Sequence, residues 1–316
     1  MNKSLLLVAL SMMIVAGATL PAFAQTTPVS LTPDIVGHSN RYWENGYLAV
    51  REAEAPVVHL FDRSGRKLWK RTVAIPDAVT SGLLPVAIWP DGTVAVAGGA
   101  RSSDGALAGF VAWIDASGKI TKVLRTTPFI AWYMTVTPDG NLWALGRVFN
   151  PPGAQEDSPH QMVRTFSRDG VQLRETISRG AFAKWPPPTA RASIASSGDR
   201  VGLYLAGTAD WIELSTETGE VIARTKVQQP ASAQVRRAVY GLHGELYVSG
   251  SVTVSNGAQN RSVPVFAKVE PGTGRWIDLT ATLAASNLAP STLVGADGGD
   301  LVFSSGDDRI RRQPMP

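Results

Sequence analysis

Short apolar runs alternate with glycine-centred polar turns along the chain, and no stretch between the turns keeps a 3.6-residue apolar period. Asn45-Gly46, Asp91-Gly92, Asp139-Gly140, Ser197-Gly198, His243-Gly244 and Gly298-Gly299 each precede such a run: 47–50, 93–97, 141–145, 201–205, 245–249 and 301–304. The runs are too short for helices and rich in Val, Leu, Tyr and Trp, so they predict β-strands. A second series of turns is centred on Gly65, Gly118, Gly170, Gly219 and Gly274, spaced by about 50 residues. Each repeat therefore reads as strand a, glycine turn, strand b, variable loop, strand c, glycine turn, strand d.

Six such units fit the chain beyond residue 24, and a radial stack of antiparallel sheets is the natural way to bury strands that are apolar on both faces. The expected fold is all-β: a six-bladed β-propeller of four-stranded antiparallel blades. The last unit stops at Pro316 one strand short. Residues 28–36 can supply that strand, so the ring is expected to close by strand exchange between the N- and C-termini. The segments Pro138-Asp139-Gly140-Asn141-Leu142-Trp143 and Pro90-Asp91-Gly92-Thr93-Val94 resemble the turn and second strand of six-bladed propellers of the NHL, virginiamycin-lyase and TolB-like kind. The resemblance spans the repeat pattern of nearly the whole chain and implies a frame. Gly98-Gly99 is similar to a kelch pair, but the other units lack it.

Lys3, the apolar run 5–16 and Ala22-Phe23-Ala24 form the n-region, core and A-x-A site of a signal peptide over 1–24, leaving 25–316 as a single propeller domain. The apolar core falls short of the roughly 20 residues that span a bilayer. Export to the periplasm or the medium is expected, with no membrane span after cleavage. The chain has no cysteine, which excludes disulfides, thiolate catalysis and Cys-ligated metals. Its net charge of +4 is spread along the sequence, so no nucleic-acid partner is expected.

Catalytic signatures are absent: there is no G-x-S-x-G, H-E-x-x-H, P-loop, G-x-G-x-x-G or calcium loop. The four histidines are scattered, and no cofactor or metal site is expected. The b–c connections 99–109, 148–161 and 252–264 and the d–a connections 74–84, 179–190 and 228–237 read as long loops, all emerging on one face of a propeller. Binding resides on variable loops held by a rigid scaffold. On that face the start of strand a places Arg41, Tyr42, Trp132, Tyr133, Arg191, Arg236 and Arg237 near the mouth of the central channel. Arginine with aromatics suits a protein, peptide or glycan partner carrying a carboxylate, phosphate or sugar; the same side chains could instead pack between blades and cap carbonyls. The expectation is a monomeric binding protein. The alternative is a lyase or lactonase-like hydrolase acting at the channel mouth.

Overall fold

The computed structural model of the protein describes residues 29–30, 39–149, 161–178, 192–256, 259–285, 291–305 and 309–316. Its strands make six antiparallel four-stranded sheets. The first described strand, β1 (Val29–Ser30), belongs to the last of them. Blade one holds β2 (Ser39–Glu44), β3 (Tyr47–Glu52), β4 (Val57–Phe61) and β5 (Lys67–Thr72). Blade two holds β6 (Thr80–Ile88), β7 (Val94–Arg101), β8 (Leu107–Ile114) and β9 (Ile120–Arg125). Blade three holds β10 (Phe129–Val136), β11 (Leu142–Val148), β12 (Gln161–Phe166) and β13 (Gln172–Ser178). Blade four holds β14 (Ala192–Ser197), β15 (Arg200–Leu205), β16 (Asp210–Ser215) and β17 (Val221–Lys226). Blade five holds β18 (Ala233–Tyr240), β19 (Leu246–Asn256), β20 (Gln259–Val269) and β21 (Trp276–Asp278). A short helix, α1 (Thr280–Ala285), leads to blade six, which holds β22 (Ser291–Asp297), β23 (Asp300–Ser305) and β24 (Arg309–Pro314). There β1 pairs with β24 as the fourth strand, Val29 opposite Ile310.

The first strands β2, β6, β10, β14, β18 and β22 lie side by side in that order, and β22 returns to β2. This is the six-bladed β-propeller that the turn spacing predicts. Within the expected N-terminal segment, Val29–Ser30 makes the predicted pairing; positions 28 and 31–36 lie outside the described residues.

The core is six inter-blade seams. On β7, Val94 and Val96 pack towards blade one while Ala95 and Ala97 pack towards blade three. On β11, Leu142 and Ala144 face blade two, and Trp143 and Leu145 face blade four. Strands covered on both faces read as continuous apolar runs, which explains the pattern in the sequence. Trp43, Leu48, Val50 and Phe61 of blade one meet Val294, Val302 and Ile310 of blade six, so the first and last blades share a seam. At the rim, outer strands tie to the next blade's glycine turn: Arg71 Nε donates to Gly118 O at 2.5 Å and Thr176 Oγ1 to Gly219 O at 2.8 Å.

Two expected long loops are strands instead. β7 and β8 run on to a tight turn at Ser102–Ala106, where Gly105 N–H donates to Ser102 O at 3.0 Å, and the Asp104-Gly105 pair is its sequence signal. β19 and β20 likewise extend to Asn256 and from Gln259. Of the d–a connections, β6 begins at Thr80 and β18 at Ala233, shortening two links. Positions 150–160 and 179–191 lie outside the described residues. The helix α1 also departs from the all-strand expectation; six residues are too few to show a helical period, and its Leu283 is buried in the seam between blades five and six.

Candidate functional site

Each inner strand runs from one face of the propeller to the other, so its first residues line the channel mouth and its last residues the floor. Four of the six are irregular near the mouth. The pairing register slips between Leu83 and Val86 in β6, Ala131 and Tyr133 in β10, Val235 and Arg237 in β18, and Leu293 and Gly295 in β22. The extra residue of a bulge is turned out of the ladder and re-aimed. Pro85, Trp132, Arg236 and Val294 are such residues, and all four line one cavity at the mouth. The bulge also drives a carbonyl over the neighbouring strand, where only glycine fits. A Cβ at Gly98 would lie 2.0 Å from Gly82 O, at Gly146 2.2 Å from Ile130 O, and at Gly250 2.1 Å from Gln234 O.

The mouth cavity has a volume of about 480 Å³. Arg41, Tyr42, Trp132, Tyr133, Arg236 and Arg237 all line it, so the structure brings together every predicted site residue it describes. Arg191 lies outside the described residues. No carboxylate lines the cavity among the described residues; its other polar groups include Asn40, Ser193, Thr292 and Ser304. The tyrosine hydroxyls bind backbone across blades: Tyr42 Oη donates to Leu84 O at 2.9 Å, and Ala192 N–H donates to Tyr133 Oη at 3.1 Å. The ring of Trp132 leans on Phe149, whose other neighbour is the Arg147 guanidinium at 5.4 Å.

Below the mouth a second cavity of about 160 Å³ reaches Glu44. This carboxylate, absent from the predicted site, is tied to two other blades. Ile88 N–H of blade two donates to its Oε2 at 2.7 Å. From blade three, Thr135 Oγ1 and Val136 N–H donate to Oε1 at 2.8 and 3.0 Å. Ser196 of blade four extends the cluster, its Oγ donating to Val136 O at 2.6 Å. Glu44 keeps some surface towards the cavity, yet protein encloses it. Burial pushes its carboxyl above the ordinary glutamate range, opposed by those hydrogen bonds and by the charge of Arg237. Arg237 is enclosed in turn: its Nη2 donates to Arg41 O at 3.0 Å and its guanidinium lies 5.1 Å from the Tyr42 ring centroid. Arg236 makes no ion pair or hydrogen bond among the described residues and is exposed to the cavity.

Among the described residues no three His, Asp or Glu side chains converge, and no helix is long and apolar enough to cross a membrane. No protein-family model matches the chain, and no curated protein is significantly similar to it. Solved structures are similar in fold. A DUF4221-family protein of Bacteroides vulgatus superposes with a TM-score of 0.56 at 9% identity, over 93% of this chain and 98% of that one. A Bacteroides fragilis protein whose name proposes export gives 0.56 at 10% identity, over 93% and 95%. A luciferin-regenerating enzyme gives 0.51 at 12% identity, over 92% and 96%. At these identities the likeness shows the propeller fold and leaves its NHL, virginiamycin-lyase or TolB-like type unassigned, since one frame hosts many functions.

Proposed function

We propose that this protein is an exported, monomeric propeller that binds an anion-bearing protein, peptide or glycan at its channel mouth, without metal or cofactor. The observation that carries this reading is the charge of the mouth: Arg41, Arg236 and Arg237 line it and, among the described residues, no acidic side chain does. Aromatic rings beside those arginines add apolar contact of the kind that anchors ligands. Arg191 joins the proposed site on its sequence position alone. Export rests on the signal-peptide pattern of residues 1–24. Within propellers, the Pro-Asp-Gly turns at Asp91 and Asp139 support a place beside the NHL, virginiamycin-lyase and TolB-like kinds.

A guanidinium contact to an anion contributes about 1.5–3 kcal/mol, or roughly ten- to a hundredfold in affinity. The test is retention on immobilised heparin fragments, oligogalacturonate and polyglutamate. Replacing Arg41 and Arg236 together with alanine should weaken retention of the bound probe by about tenfold or more, while Lys119→Ala and Glu220→Ala at the rim turns leave it unchanged. Equal retention by the double variant, or none by the wild type, would overturn the reading. A cleaved or unsaturated product in the eluate would favour the lyase or hydrolase alternative instead.

A further inference from the structure

The seam between blades five and six is built differently near the mouth. On β19, Tyr247, Ser249 and Ser251 share the face turned to blade six. Tyr247 packs into the apolar seam with Phe266, Leu293 and Phe303. Ser249 pairs across the bulge with Arg237, as Leu145 of blade three pairs with Tyr133. Leu145 fills its seam. Where Leu145 has a hydroxyl counterpart there is a pocket of about 200 Å³, lined by Arg236, Ser249, Ser251, Ser262, Ser291 and Thr292.

Two features mark this pocket as built for a ligand. Ser249 is only 5% exposed, yet its Oγ has no hydrogen-bond partner, and the buried Oγ of Ser291 has none either. Buried hydroxyls without partners are uncommon because they give up hydration and gain nothing in return. Arg236 and Thr292 line both this pocket and the mouth cavity, so the two adjoin. Every polar side chain lining the pocket can donate a hydrogen bond, and the guanidinium charge of Arg236 has no acidic neighbour there among the described residues.

We propose that the pocket is an oxyanion subsite that takes a carboxylate, sulfate or phosphate group, with Arg236 supplying charge and Ser249 and Ser291 supplying O–H donors. It deepens the binding reading given above, from which it can fail separately. The test is calorimetric titration of the full chain with sodium sulfate, phosphate and glucuronate in chloride buffer of matched ionic strength. At least one should bind the wild type, and the one that binds identifies the source of the group. Ser249→Ala and Arg236→Ala should each weaken that binding by about tenfold, whereas Lys119→Ala, at a rim turn, should leave it unchanged. Ser249→Ala should also raise the Tm of the free protein, because it removes an unpaired buried hydroxyl; a hydroxyl with a structural role would lower it. No binding of any of the three anions, or binding unaltered in both Ser249→Ala and Ser249→Val, would overturn the subsite. Loss of heparin or polyglutamate retention in Trp132→Ala alongside unaltered anion binding in Ser249→Ala would leave the mouth standing and remove the pocket.

Discussion

Arg236 and Arg237 are consecutive residues of one strand with opposite surroundings. Arg237 points to the enclosed part of the channel, where the Arg41 carbonyl, the Tyr42 ring and the Glu44 carboxylate account for its charge. Arg236 occupies the bulge and opens onto the mouth cavity and the serine pocket. One slip of register separates the two roles. The floor of the channel is satisfied by the protein's own groups, with Glu44 receiving three donors from blades two and three, while the serine pocket beside the mouth holds the Ser249 and Ser291 hydroxyls, which have no hydrogen-bond partner among the described residues. Charge at the floor serves the ring; the charge of Arg236 at the mouth has no ion pair or hydrogen bond among the described residues.

The sharpest way to break this contrast is at the floor. Glu44→Ala removes the acceptor of two backbone N–H groups and one hydroxyl and leaves Arg237 without its counter-charge, so it should cost about 3–5 kcal/mol, measured by urea unfolding. Gly250→Ala attacks the bulge itself: its Cβ meets Gln234 O, and relieving that overlap should cost about 2–3 kcal/mol and misdirect Arg236, so that unfolding midpoint and anion binding fall together. The pH response separates the two ends more gently. A carboxyl with its folded pKa above its unfolded one favours the fold fully below the unfolded value, and that contribution is lost as pH rises through the folded value. Burial raises Glu44 in this sense, so the stability of the wild type relative to Glu44→Gln should decline as pH rises above the ordinary glutamate range, compared through urea midpoints. The smallest effect is expected at the mouth, where Arg236→Ala should change stability by no more than about 0.5 kcal/mol while weakening anion binding. A loss comparable to that of Glu44→Ala would make Arg236 a structural residue.

The frame was legible because its signals are local. A turn such as Asp115 to Lys119, with Asp115 Oδ1 accepting from Ser117 and Lys119 N–H at 2.9 and 3.0 Å, is written in five adjacent residues, and its glycine recurs in each of the first five blades. The arginines and aromatics at the mouth were legible for a related reason: the start of an inner strand fixes the end of the channel a side chain reaches. Glu44 was not, because an acid beside Asn45-Gly46 has the look of a solvated turn residue, and its partners Ile88, Thr135 and Val136 come from other blades. The bulges escaped as well, although Gly98, Gly146 and Gly250 in otherwise apolar second strands were their mark. Ser249 and Ser251 read as ordinary polar positions, since what distinguishes them is the leucine that blade three holds at Leu145 and blade five lacks.

The pairing of β1 with β24 also orders events during synthesis. Five blades can assemble as they are made, each from contiguous chain, but the sixth joins β1, translated before blade one, to β22, β23 and β24, translated after blade five. A product ending before Arg309 would leave β1 without a partner, expose the edge of β23 to other chains, and withhold Ile310 from the seam between the first and last blades. Termination before Arg309 should therefore yield an open, aggregation-prone ring.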